Sequence, residues 1–366
     1  MRAWRVHEFG EPADVLVAEE VDPPTAADLV GLGMSMGGWI PIAEGGRGPY
    51  DDWVLLDMTV AALALPDVTM ARGSYPVPVP RPYTSGQEGV GIVVDAGPTH
   101  RRLLGSRVAA CCIQPFGSLA PVAIGVGTMF EVPDDMTDEE GAAFVVPAHT
   151  AYHVVHRRGR VQPGETVLIL GASGATGLAA VQVAKLLGAN VIATGRSDEK
   201  LAVVKSLGAD HVLNTRGPDG GVRRFRDEVK ALTGGEGVDV VYDGVGGELS
   251  LESLKCVRFG ARFLIVGWAS TPFVAKGKGQ RGAPNANQLP TNLIMMKGLD
   301  VLGCPTVISA INDPSLRAPR HERLWRWVES GQLNPHVSHV FPLAEVKEAM
   351  RAKWRGDVIG GCVVHP

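Results

Sequence analysis

The sequence predicts an α/β protein in which a doubly wound parallel sheet is joined to a second, β-rich unit. Three observations lead there. From Val167 to Val301, apolar strands alternate with helical patterns, as in βαβ units around a parallel sheet. A glycine turn, Gly171-Ala172-Ser173-Gly174-Ala175-Thr176-Gly177, lies between the first of these strands and the first helix. Before about Phe144 the chain instead shows short β-branched runs bounded by Gly and Pro.

The elements follow in order. VLLDMTV (54–60), GVGIVVDAG (89–97) and SRVAACCI (106–113) are the strand candidates of the first part. VLIL (167–170) precedes a helix over 178–188. VIATG (191–195) precedes a helix over 198–207, and HVLN (211–214) a charged helix over 222–232. VDVVYD (238–243), RFLIVG (262–267) and LDVLGC (299–304) complete six strands, the number of a doubly wound nucleotide-binding sheet. After Pro314 a helix is expected over 324–331, then a tail that returns to the first unit. The 366 residues suit two domains. These are placed at 1–146 with 314–366, and at 147–313.

Composition narrows the function. A net charge of −4 gives nucleic acid no general attraction. The cysteines, Cys111, Cys112, Cys256, Cys304 and Cys362, form no CxxC pair, which suits a reducing cytoplasm. The opening MRAWRVHEFG is charged where a signal peptide needs an apolar core. The nearest candidate for a membrane span, Leu29 to Ala43, is broken by glycines and Pro41, so no span is expected.

The glycine turn carries the strongest chemical signal. Ala172-x-Gly174-x-x-Gly177 is the dinucleotide fingerprint with its first glycine replaced. Gly174 lets a pyrophosphate approach the backbone, Gly177 allows close helix–strand packing, and the helix offers free N–H groups to phosphate. Ser173, Ala175 and Thr176 complete the turn. At the end of the second strand, an NAD site would place an acid. This chain has Gly195-Arg196-Ser197 with Lys200 one turn later, cations that attract a 2′-phosphate. NADPH is therefore the expected cofactor. The plainer reading makes Arg196 and Lys200 solvated residues at a helix entry.

With these residues in view, the sequence resembles the zinc-free medium-chain dehydrogenases/reductases of the quinone oxidoreductase type. The resemblance rests on MRAWRVHEFGEP, residues 72–97, the glycine segment, and residues 197–214, 238–256, 289–303 and 333–350. It covers nearly the whole chain in order. It implies a GroES-like catalytic domain, a Rossmann domain and a cleft between them. The positions that hold catalytic zinc in metal-dependent relatives carry Ala64, Gln87 and Val146 here, so no metal site is expected. His149, His153 and His156 stand at helical spacing but read as structural or surface residues. Tyr75 matches the tyrosine that lines the substrate pocket, and a phenol can donate to a substrate oxygen; the alternative is a tyrosine packing a turn. Gln87 can hydrogen-bond a carbonyl, and Thr150 matches a threonine near the nicotinamide. Val245, Gly267 and Asn292 complete the expected cofactor set. Asp67 follows the family's acid and reads as a helix cap. Relatives also imply a homodimer, which light scattering tests.

Three departures stand out. The family's frequent active-site Asn is Ala64. About two dozen residues are inserted between Ala27 and Tyr50. The sixth strand leads into CPTVISAIND, where an aromatic-rich turn is usual. The basic loop 276–282, with Lys276, Lys278 and Arg281, reads as a solvated loop, or as a seat for an anionic substrate arm such as a CoA phosphate. The expected activity is NADPH-dependent reduction of a quinone or an activated carbon–carbon double bond, in an enone or enoyl thioester. The rivals are a zinc alcohol dehydrogenase, tested by metal analysis, and a catalytically weak NADPH-binding regulatory or structural protein. The latter would bind NADPH without oxidising it.

Overall fold

The computed structural model describes residues 1–29, 32–35, 38–41, 51–75, 79–112, 114–270 and 287–366. Most of the insert at 27–50 and the whole basic loop at 276–282 lie outside these residues.

In chain order the first part holds β1 (Arg2–Val6), α1 (Pro12–Val15), β2 (Leu16–Glu20), β3 (Leu32–Ser35), β4 (Gly38–Pro41) and β5 (Trp53–Ala62). Then come α2 (Leu65–Ala71), β6 (Tyr83–Thr84), β7 (Glu88–Ala96), β8 (Arg107–Cys112) and β9 (Val122–Glu131). Strands β5, β7, β8 and β9 pair in sequence, and β9 returns to β5. The ring closes, so these four strands leave no open edge between them. A small sheet β2-β1-β6 lies beside it, and β3 pairs with β4 within the insert.

The helices α3 (Asp138–Ala142) and α4 (Val145–Tyr152) lead into the second sheet. It comprises β10 (Thr166–Leu170), α5 (Ala175–Leu186), β11 (Asn190–Gly195), α6 (Asp198–Ser206), β12 (His211–Asn214) and α7 (Arg226–Leu232). It continues through β13 (Val238–Asp243), α8 (Gly247–Ser253), β14 (Val257–Ile265), α9 (Thr291–Met296) and β15 (Asp300–Gly303). The strand order is β12-β11-β10-β13-β14-β15, and every pairing is parallel. This is the doubly wound order with its switch point between β10 and β13. Val167, Leu168, Ile169 and Leu170 of β10 are all buried, because helices cover both faces of the sheet. Helix α5 forms because Leu178, Ala180, Val181, Val183 and Ala184 all bury against it.

The chain ends with α10 (Thr306–Asn312), α11 (Arg317–Glu329), β16 (Val337–Pro342), α12 (Val346–Arg355) and β17 (Gly361–His365). The tail does return: β17 pairs with β5, and β16 with β17.

All six expected strands of the second sheet form, but some boundaries shift. The helix expected over 222–232 starts at Arg226, because Val222 pairs with Arg216 in an isolated bridge. The helix expected over 324–331 starts at Arg317. Pro319 falls in its first turn, where a proline costs no hydrogen bond. CPTVISAIND becomes α10.

Candidate active site

Two buried carboxyls assemble the floor of the site. Asp67 sits in the first turn of α2, where its Oδ2 accepts the Ala64 N–H at 2.8 Å. Its other oxygen accepts the Gly86 N–H at 3.1 Å. The cap expected from sequence is therefore also a cross-link to the turn before β7. Glu88, at the start of β7, accepts the Val146 N–H at 2.6 Å through Oε2. Ala64, Gln87 and Val146, far apart in sequence, are thus held in one place. All three are half-buried amid buried neighbours, as are Tyr75 and Thr150, which suits the wall of a cleft. The three positions present a methyl, an amide and an isopropyl group.

Tyr75 and Gln87 come together: the Gln87 amide acts on the Tyr75 hydroxyl. Burial pushes the Tyr75 hydroxyl up, the Gln87 amide lowers it, and the Asp67 charge raises it. The phenol stays protonated at neutral pH and can donate. Burial also lifts Asp67 to about 6 and Glu88 to about 8, against the backbone N–H groups that lower both. Thr150 lies on α4 one turn after Val146, so the Glu88 tie places its helix beside Gln87.

The glycine turn has the shape of a phosphate cradle. Gly174 is exposed, and a Cβ there would meet only Gly171 O, at 3.6 Å. Gly177 is the opposite: its Cβ would lie 2.5 Å from Gly171 O and 2.9 Å from Ala172 Cα. The Leu178 N–H is bonded to Gly174 O at 2.8 Å, leaving the N–H groups of Ala175, Thr176 and Gly177 at the open end of α5. Ser173, Ala175 and Thr176 are half-buried, while Ala172 is buried with its N–H bonded to Thr194 O. Ala172 therefore shapes the turn. This geometry fits a dinucleotide pyrophosphate.

The other expected cofactor residues divide. Gly195 ends β11, and the Ser197 hydroxyl caps α6 by accepting the Lys200 N–H at 3.4 Å. Arg196 donates to Gly220 O at 3.0 Å, and the Lys200 ammonium donates to Gly356 O. Asp243, buried at the end of β13, accepts the N–H groups of Val245 and Gly246 through one oxygen. Gly267 donates its N–H to Asp243 O at 3.2 Å, which brings the turns after β13 and β14 together. Asn292 is exposed on α9 and is not drawn to this group by any described contact.

The three histidines separate. His149 and His153 are buried, with burial pushing their pKa values down to about 3 and about 4, while His156 is exposed and stacks on Tyr152. Among the described residues no cluster of three His, Cys, Asp or Glu side chains could hold a metal. Sequence reading missed Glu88, Asp243 and Gly360. An isolated acid heading the apolar run GVGIVV was a usable signal for Glu88; the other two carry none.

Two families match, in the order the fold requires: the alcohol dehydrogenase GroES-like domain over residues 50–133, and the zinc-binding dehydrogenase family over residues 175–312. Quinone oxidoreductase-like protein 2 of Rattus norvegicus is 31% identical over 320 residues, covering 85% of each chain. A 2-haloacrylate reductase from a Burkholderia species is 28% identical, covering 90% of this chain and 94% of its own. The quinone oxidoreductase of Thermus thermophilus, solved also in its complex with NADPH, matches with a TM-score of 0.76 and 28% identity across the full length of both chains. On this similarity of sequence, domain order and fold, the chain belongs to the medium-chain dehydrogenases/reductases, as a quinone oxidoreductase-like member.

Proposed function

We propose that this protein is an NADPH-dependent, zinc-independent reductase of quinones or of activated carbon–carbon double bonds. The observation that carries the reading is the Tyr75–Gln87 pair, half-buried together with Ala64 and Val146, whose side chains offer no metal ligand. Bound NADPH supplies the hydride. The chain does the rest. The glycine turn and α5 hold the pyrophosphate, and Arg196 with Lys200 receives the 2′-phosphate. Val245, Gly267 and Thr150 border the nicotinamide end, and Asn292, exposed on α9, stands apart from them. Tyr75 and Gln87 direct donors at the substrate oxygen, where negative charge grows as hydride arrives. Tyr75 or solvent then returns a proton. In this reading residues 1–146 and 314–366 supply the donors, and residues 147–313 hold the cofactor.

The test is NADPH oxidation, followed at the reduced nicotinamide band, against quinones, small enones and enoyl-CoA esters, with and without a chelator. One substrate group is turned over, and chelation changes nothing. Chelator-sensitive turnover of alcohols would overturn the zinc-free reading. Tight NADPH binding with no oxidation of any substrate would favour the binding protein.

Cofactor choice has its own expected result. The double variant Arg196→Ala/Lys200→Ala weakens NADPH binding by about 10- to 100-fold, the effect of about 1.5–3 kcal/mol from charge-assisted bonds. NADH binding stays unchanged. Fluorescence titration of both nucleotides measures this, and equal weakening of the two would remove the 2′-phosphate role.

A further inference from the structure

The cation Lys353 has no part in the reaction as described. It lies in the last turns of α12, half-buried, and its ammonium donates to Gly360 O at 3.2 Å. Gly360 is a junction. Its N–H donates to Ser173 O at 2.9 Å, inside the cofactor turn, and an isolated bridge joins it to Gly174. Its φ is +65°, and a Cβ would lie 2.2 Å from His336 O, so the backbone approaches this closely only with glycine. The Lys353 charge also acts on the Cys362 thiol, Glu88 and Asp67. One side chain therefore bonds the residue that abuts the glycine turn and carries a charge that acts on the two carboxyls of the site.

We infer that Lys353 is a positioning residue that couples the cofactor's glycine turn, through Gly360, to the charge carried by Asp67 and Glu88 beside Tyr75 and Gln87. The inference rests on the reductase reading for its catalytic consequence, but not for its effect on cofactor binding. Two physical reasons support it. Fixing Gly360 O aims the Gly360 N–H at Ser173 O and preorganises the turn. An ammonium held inside the protein also acts on nearby carboxyls more strongly than it would in water.

The groups facing this cluster come from several elements. Glu88 on β7 faces Asp67, Lys353 and the thiols of Cys111 and Cys112 on β8. Asp67 on α2 faces Lys353, Tyr75 and Tyr83. Cys362 on β17 faces Lys353. Burial holds Glu88 at about 8 and Asp67 at about 6, and Lys353 pulls both down. The floor thus gains negative charge as pH rises through neutrality. Negative charge beside the substrate oxygen opposes the charge that grows there, so kcat/KM falls on the alkaline side. Without Lys353 both carboxyls stay protonated to higher pH, and the alkaline limb moves upward.

The experiment compares wild type with Lys353→Met and Lys353→Arg, with Lys353→Gln replacing the methionine variant should that fail to fold. NADPH affinity is read by cofactor fluorescence, and kcat/KM is read from about pH 6 to about pH 9. The neutral variant is expected to bind NADPH about threefold or more weakly. Its alkaline limb moves up by about half a pH unit or more. Lys353→Arg restores both. Unchanged affinity and an unmoved limb in a folded neutral variant would overturn the coupling, as would a wild-type profile with no limb in this range. The affinity measurement needs no substrate, so failure of every quinone and enone would count against the reductase reading alone.

Discussion

Tyr75→Phe lowers kcat/KM by about 100-fold, equivalent to about 2.7 kcal/mol of transition-state stabilisation. The change removes one oxygen and leaves the ring, which packs against the buried cluster that contains Val6, Leu63, Val68 and Tyr83. Folding and NADPH affinity should therefore stay close to wild type. The size of the effect follows from the neighbourhood. The hydroxyl is protonated, desolvated and set beside the Gln87 amide, so its donor is in place before charge develops. Gln87 keeps its own amide in the variant, which limits the loss. Steady-state kinetics on the accepted substrate, with a cofactor titration, checks the result. A variant with undiminished kcat/KM would make Tyr75 a packing residue and leave Gln87 as the donor.

The second large effect separates two glycines that look alike in sequence. Gly177→Ala is expected to lower stability by about 1–3 kcal/mol, as overpacking does, and to weaken NADPH by tenfold or more, a factor of about 1.4 kcal/mol. Its methyl group would meet backbone atoms of Gly171 and Ala172, which cannot turn aside as a side chain can. The first turn of α5 must then move away from β10, carrying its N–H groups with it. Gly174→Ala leaves stability unchanged, because its φ of −75° and ψ of 159° suit alanine and its Cβ meets only one atom, at 3.6 Å. It weakens NADPH nonetheless, since the methyl stands where the pyrophosphate approaches. Thermal melts and fluorescence titrations distinguish the two. Equal stability losses would show that both glycines serve packing, and unaltered affinity in Gly174→Ala would move the cofactor off this turn.

The sequence by itself determined the parallel sheet, the glycine turn and the cations after β11. These are local properties: strand periodicity in VLIL and VDVVYD, a turn that needs small residues, and a helix entry marked by Ser197. Resemblance added Tyr75, Gln87 and Thr150 as separate positions. Only the tertiary structure decided that Tyr75 and Gln87 come together, and that Asp67 is a cross-link as well as a cap. It alone joined Glu88 to Val146 across 58 residues and brought Gly360 against Ser173. The physical reason is range. Periodicity and turn chemistry act over a few residues, whereas burial of a carboxyl beside a distant N–H is settled only when separate elements pack.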